Sequence, residues 1–177
     1  TVVVEPGPGA GRYDASTPRR HHGTARMKAA LIAAGLGERL TRAGITTPKP
    51  LVPVAGTPLI DYVLGAFATT AIMEVACIVN SRGDAIATHC RQRWPQLHFD
   101  FTRRDTPSSM ESVFTLAPLL GADRFALFTV DAIFPPPVLQ EFLAATTQYP
   151  DAHVVLAVTD FVDDEKPLWV EVDASGR

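Results

Sequence analysis

Long apolar runs are missing from the chain, and their absence first limits the class of protein. No stretch reaches the roughly 18 consecutive apolar residues that a transmembrane helix requires, and the N-terminus lacks the apolar region of a secretory signal. We therefore expect no membrane partner, and we expect the protein to lie in the cytoplasm.

Cysteine is also scarce. The 177 residues include only Cys77 and Cys90, and these two do not form a Cys-x-x-Cys pair. A thiolate metal site or a redox pair is therefore not indicated. Cys77 lies in an apolar run and Cys90 in a predicted helix, so we expect both to be buried, reduced thiols.

A basic surface is missing from the body of the chain. The net charge is −3, and residues 1–26 contain four arginines against two acidic residues, a balance of +2. The remainder therefore carries −5. An acidic body argues against nucleic acid as a partner.

The pattern of the chain changes at Met27. Residues 1–26 are rich in Gly, Pro, Arg and His, which predicts a disordered N-terminal arm. From residue 27 to 177, strand and helix patterns alternate, which predicts one domain with a mostly parallel sheet and helices on both faces, a three-layer α/β/α, Rossmann-like fold. Thr57 and Pro58 are expected as N-cap and first residue of a helix. The predicted strands are 28–34, 74–79, 97–101, 125–130, 154–158 and, less regularly, 168–172.

The most informative stretch begins with the apolar strand at residues 29–34. Gly35 and Gly37 follow it, and a glycine turn leaves backbone N–H groups open to an anion. Arg39 comes next, and Lys49 is held between two prolines. A glycine loop with two fixed cations is equipped to bind a polyphosphate.

Three ordered blocks carry a family resemblance. They are Ala33-Ala34-Gly35-Leu36-Gly37-Glu38-Arg39-Leu40, then Pro48-Lys49-Pro50-Leu51-Val52-Pro53-Val54, then Gly56-Thr57-Pro58-Leu59-Ile60. In sequence and spacing they resemble the N-terminal signature of the sugar-1-phosphate nucleotidyltransferases. The resemblance implies a Mg²⁺-dependent enzyme in which Arg39 contacts the leaving pyrophosphate and Lys49 contacts the α-phosphate and the incoming phosphate. The nucleotide-binding residues that it implies in these blocks are Ala33, Ala34, Gly35, Leu36, Gly37, Arg39 and Lys49.

Asp131 is the candidate metal ligand. It ends the apolar strand at 125–130, and a carboxylate at the end of a buried strand needs a partner. Mg²⁺ is one partner, and capping of the helix that follows Pro135 is the alternative. The resemblance favours the metal, although Val130 stands where the family usually has a glycine.

Base recognition is less well defined. The family usually has a Gly-Thr-Ala segment where this chain has Thr106-Pro107-Ser108-Ser109. Ser108 and Ser109 either contact the base or cap the following helix. Asn80, at the end of the second predicted strand, is a further candidate for nucleotide binding.

The expected reaction transfers a nucleotidyl group from an NTP to a phosphorylated small molecule, a sugar 1-phosphate first, and releases pyrophosphate. Cytidylyl transfer to a phosphocholine-like acceptor and a non-catalytic nucleotide-sensing module are the alternatives, and homo-oligomerisation is left open. Family members continue beyond the equivalent of residue 177 and supply a second metal-binding aspartate there. We therefore expect a domain truncated at its C-terminus and too short for full activity.

Overall fold

The computed structural model describes residues 2–4, 27–159 and 170–171. These residues fall into two compact units, which we describe separately: residues 27–139, and residues 2–4 with 140–159 and 170–171. The strands are β1 (Val2–Val4), β2 (Lys28–Ala33), β3 (Pro53–Val54), β4 (Thr57–Pro58), β5 (Glu74–Val79), β6 (His98–Arg103), β7 (Phe125–Thr129) and β8 (Val154–Leu156). The helices are α1 (Glu38–Arg42), α2 (Leu59–Phe67), α3 (Asp84–Arg93), α4 (Ser109–Leu120) and α5 (Pro136–Thr146), with a 3₁₀ turn at Lys49–Leu51.

A four-stranded parallel sheet forms the centre of the larger unit. Its strand order is β6-β5-β2-β7, so β2 lies between β5 and β7 and is paired on both sides. Alanine and β-branched or aliphatic residues fill β2, and five of its six residues are buried. Such a near-continuous apolar run is what a strand covered on both faces requires.

Helices cover both faces of this sheet. On one face, α4 packs Leu116 and Leu120 against alternate residues of β2 and β5. On the other face, Phe67 of α2 meets Phe128 of β7 edge to face, with ring centroids 4.8 Å apart. The predicted three-layer α/β/α arrangement is therefore confirmed.

The start of α2 differs from the prediction. Thr57 and Pro58 form β4, and Thr57 pairs with Val54 across a two-residue turn. Ala55 and Gly56 in this turn both have positive φ, 48° and 83°, which is typical of a tight hairpin. Thr57 and Pro58 therefore belong to the hairpin, and the helix begins after them at Leu59.

The smaller unit contains the antiparallel pair of β1 and β8, with Val3 opposite Val155. The predicted disordered arm is therefore wrong for Val2–Val4. Three successive valines favour a strand, and their backbone groups pair with those of Val154–Leu156. The rest of the predicted arm, residues 5–26, and most of the predicted strand 168–172 lie outside the described residues.

Both cysteines are free and buried, as predicted. Burial, together with the nearby Asp61 carboxylate, raises the pKa of the Cys90 thiol to about 12. Within the described part of the chain, no helix combines the length and apolar character that crossing a membrane would need.

Candidate active site

The glycine loop leaves the carboxyl end of β2 and turns at Gly37. Gly37 has φ 63° and ψ 40°, the left-handed conformation that glycine adopts without a steric penalty. A Cβ at this position would lie 3.1 Å from Cβ of Lys49, whereas a Cβ at Gly35 would meet nothing within 4 Å. Gly37 is therefore needed both for its conformation and for the space that the lysine stem occupies.

Lys49 begins the 3₁₀ turn, directly after Pro48 and before the buried Pro50. Its ammonium Nζ lies 2.6 Å from Oδ2 of Asp131, 82 positions away in sequence. The side chains of Lys49 and Asp131 are 31% and 52% exposed, so this ion pair is open to solvent and to a ligand.

Asp131 follows β7 at the same edge of the sheet as the glycine loop. Val130 just before it is buried and donates its backbone N–H to the carbonyl of Ile32, which joins the end of β7 to β2. Partial burial raises the pKa of Asp131, but hydrogen bonds from Lys49 and Thr129, together with the lysine charge, outweigh it and hold the pKa below its usual value. The carboxylate is therefore ionised at neutral pH.

The two alternatives for Asp131 can be compared with this geometry. The following helix, α5, begins at Pro136, five residues further along. An N-cap residue directly precedes the first helical residue, so Asp131 is too far away to cap α5. Its side chain instead turns toward Lys49 and the glycine loop.

A first cleft lies between the glycine loop and the start of α4, with a volume of about 360 Å³. Ser108 caps α4, because its Oγ accepts the backbone N–H of Glu111 at 3.2 Å. The hydroxyl groups of Thr106 and the buried Ser112 are hydrogen-bonded at 2.7 Å. This bond connects the segment before α4 to the helix itself. The residues around this cleft are Ile32, Ala34, Gly35, Leu36, Gly37, Glu38, Thr106, Pro107, Ser108, Ser109 and Ser112.

A second cleft of about 560 Å³ lies on the other side of the loop. Its cations are Arg39 and Lys49, and much of its remaining wall is apolar. The residues around it are Gly37, Glu38, Arg39, Leu40, Lys49, Val52, Val54 and Leu59. Gly37 and Glu38 line both clefts, so the loop separates one space from the other.

Asn80 is a supporting residue in this geometry. Its side chain is buried, donates to the carbonyl of Ala34 at 3.4 Å and accepts the backbone N–H of Arg82 at 3.0 Å. It lines neither cleft. Asn80 thus connects the end of β5 to the start of the glycine loop. Ala33, which is 1% exposed, likewise belongs to the core beneath the loop.

Three further residues contribute to the site although the sequence motifs assign them no role there. Thr129 is the last residue of β7, two positions before Asp131, and a hydrogen bond from its side chain helps to lower the pKa of that carboxyl. Val52 and Leu59 line the second cleft only because the hairpin between them folds back, and Leu59 donates its N–H to the carbonyl of Val52. Among the described residues, no group of three or more His, Cys, Asp and Glu side chains could hold a metal ion.

Comparison with known proteins adds a second line of information. The sequence pattern of the family described as the MobA-like NTP transferase domain matches residues 29–173. CMP-5'-(3-aminopropyl)phosphonate synthase from Streptomyces rubellomurinus is 30% identical over 162 residues, which are 79% of this chain and 25% of that protein. Glucose-1-phosphate thymidylyltransferase from Streptomyces griseus is 32% identical over 136 residues, which are 73% of this chain and 37% of that protein.

The fold of the chain is also similar to that of solved structures. The inositol-1-phosphate CTP transferase from T. maritima superimposes with a TM-score of 0.58 at 19% identity, covering 65% of this chain and 48% of that structure. This chain thus spans less than two fifths of the two curated relatives and about half of the solved structure.

Proposed function

Because the chain belongs to the MobA-like NTP transferase domain family, we propose that it transfers a nucleotidyl group from an NTP to a small phosphate or phosphonate acceptor and releases pyrophosphate. The observation that carries this proposal is the meeting of the glycine loop, Lys49 and Asp131 at one edge of the sheet. Ligands bind at the carboxyl ends of the strands in open parallel sheets, and this edge holds both an anion-binding loop and fixed charges.

The reaction that we propose needs little covalent chemistry from the protein. An acceptor oxygen attacks the α-phosphorus in line, a new P–O bond forms, and the bond from the α-phosphorus to the oxygen that bridges to the β-phosphorus breaks. Positioning and charge stabilisation then dominate the rate. We assign Lys49 to the α-phosphate and the incoming group, and Arg39 to the leaving pyrophosphate.

The donor set at Asp131 fits Mg²⁺. Mg²⁺ usually takes one or two protein carboxylates and fills its remaining positions with water and substrate phosphates. Asp131 offers one ionised, half-exposed carboxylate beside the loop that we assign to the phosphates. When bound, the metal would neutralise charge on the reacting phosphates, and Asp131 would hold it.

We place the base in the first cleft and infer a pyrimidine. The names of both curated relatives specify pyrimidine nucleotides, a cytidine and a thymidine nucleotide. In this cleft the hydroxyl of Ser108 already accepts the helix N–H. Ser109 on the same wall is therefore the better candidate for a base contact.

A sugar 1-phosphate and an aminoalkylphosphonate are the acceptors that the relatives' names suggest. The two buried reduced thiols support a reducing compartment such as the cytoplasm.

Pyrophosphate release tests the proposal. The protein would be assayed with Mg²⁺, each of CTP, UTP, dTTP, ATP and GTP, and glucose 1-phosphate, inositol 1-phosphate, 3-aminopropylphosphonate or phosphocholine as acceptor. We expect acceptor-dependent release with a pyrimidine triphosphate. Nucleotide binding without release for any pair would favour the non-catalytic nucleotide-sensing module, and no binding of any NTP would contradict the proposal.

A further inference from the structure

Lys49 and Asp131 form an ion pair with each other, although the proposed function assigns each of them to a different ligand. Lys49 is assigned to phosphate and Asp131 to the metal, yet their atoms Nζ and Oδ2 lie 2.6 Å apart. The ammonium therefore occupies a position on the carboxylate oxygen that a metal ion would also need. Both groups have a partner of opposite charge before any substrate arrives.

The surroundings of the pair direct the lysine toward the carboxylate. Lys49 lies between two prolines, whose fixed φ limits the backbone on both sides of it. Gly37 stands against the lysine stem, where a Cβ would come within 3.1 Å. The ammonium of Lys49 bonds Oδ2 of Asp131, so this carboxylate oxygen already has a partner of opposite charge.

We propose that Lys49 acts as a placeholder for the divalent cation, holding Asp131 until a triphosphate draws the ammonium away. A metal ion at Asp131 would meet the positive charge of Lys49 at close range, and like charges at that distance disfavour each other. The triphosphate gives the ammonium a new partner, so the metal and the nucleotide enter together. This inference rests on the proposed function and adds a second role for Lys49, the exclusion of metal from Asp131 until a nucleotide binds.

The test measures binding of Mn²⁺ alone to the full chain, by the loss of the free-ion signal in electron paramagnetic resonance. Lys49→Met removes the ammonium and should raise the Mn²⁺ affinity roughly two- to fivefold. Lys49→Arg keeps a positive charge and should leave the affinity low. The gain should disappear in the double variant Lys49→Met with Asp131→Asn.

Lys28→Met is the matched control. Lys28 also pairs with a carboxylate, Glu74, at 3.1 Å, but it lies at the opposite end of β2 from the glycine loop. Its loss changes the net charge equally, so we expect no change in Mn²⁺ affinity. An equal gain in Lys28→Met would overturn the placeholder role, because the effect would then be one of overall charge.

The other outcomes separate this inference from the proposed function. Equal Mn²⁺ affinity in the parent chain and Lys49→Met overturns the placeholder role, as does a gain that persists in the double variant. A second titration, with CTP present, addresses the metal site itself. If Asp131→Asn binds Mn²⁺ with CTP as tightly as the parent chain does, Asp131 is not the metal ligand and that part of the proposed function fails.

Discussion

The conformation of Gly37 and the space beside it both affect the geometry of the site. Glycine adopts its φ of 63° at little cost, whereas other residues are disfavoured there. A Cβ at this position would also lie 3.1 Å from Cβ of Lys49. A larger residue here would strain the loop and push the lysine away from Asp131. The second glycine of the loop therefore shapes the site through Lys49 as well as through the phosphate.

Gly37→Val should reduce nucleotide affinity at least about tenfold, because the added side chain displaces Lys49. Gly44→Val is the matched control, since Gly44 also has positive φ, 82°, but a Cβ there meets nothing within 4 Å. Both variants should lose about 1–2 kcal/mol of unfolding free energy from the strained φ. Calorimetric titration with CTP and Mg²⁺ should show the loss of affinity only in Gly37→Val, and similar affinities in the two variants would refute this account.

Asp131→Asn should abolish most Mg²⁺-dependent nucleotide binding while leaving the fold intact. The pKa of Asp131 is lowered in the folded chain, so its ion pair stabilises the fold at neutral pH and the contribution disappears as the pH falls through that lowered pKa. The pair is half exposed, so the loss at neutral pH should stay below about 1 kcal/mol. Urea unfolding measures the stability and calorimetry measures the binding. A variant that binds Mg²⁺ and CTP like the parent would rule out the metal role.

At the scale of elements, α2 and α3 are joined by a buried carboxylate. Asp61 of α2 is 8% exposed, and its Oδ1 lies 2.8 Å from both Nε2 of His89 and Nε1 of Trp94. Trp94 directly follows α3 and also lies close to Gly65 of α2. This cluster connects the two helices on their face of the sheet.

Asp61→Ala should cost about 1–3 kcal/mol of unfolding free energy, because it leaves the Trp94 N–H without its acceptor in a partly buried place. Arg103→Ala breaks a different ion pair, to Asp84, whose partners are both exposed. This control should cost less than about 1 kcal/mol. The midpoints of urea denaturation compare the two variants, and equal shifts would show that the Asp61 cluster contributes no more than a surface pair.

The elements also show what could be predicted from sequence. The four strands of the central sheet have strong apolar patterns, and the structure confirms their predicted bounds to within two residues at each end. The short helix α1 has no buried residue and so no apolar pattern; it is held by local bonds such as Thr41 N–H to the carbonyl of Gly37, 3.0 Å. In the hairpin of β3 and β4, Ala55 has a positive φ. An alanine in the sequence does not predict such a turn.

Part of the candidate site could also be predicted from the sequence, and part of it could not. Lys49 and the glycine loop could be identified from spacing and resemblance, because those residues lie close together in sequence. The ion pair between Lys49 and Asp131, 82 positions apart, could not, since it depends on how β2 and β7 align. The alternatives for Ser108 likewise depended on the start of α4, where its hydroxyl meets the N–H of Glu111.

At the scale of the whole molecule, the sheet gathers the site from distant parts of the chain. Parallel pairing of β5, β2 and β7 brings three strand ends to one edge, and each contributes a residue at or near the site: Asn80, Gly37 and Asp131. The loop between the two clefts then separates the proposed base position from the cations. The central claim is that these parts form one nucleotide site.

A crystal structure of the protein with Mg²⁺ and a non-hydrolysable CTP analogue tests that claim most directly. We predict the triphosphate on the backbone of residues 35–37, the base in the cleft beside Ser109, the metal on Asp131, and Lys49 moved from Asp131 to a phosphate oxygen. A nucleotide bound away from the glycine loop, or a metal held without Asp131, would contradict the account.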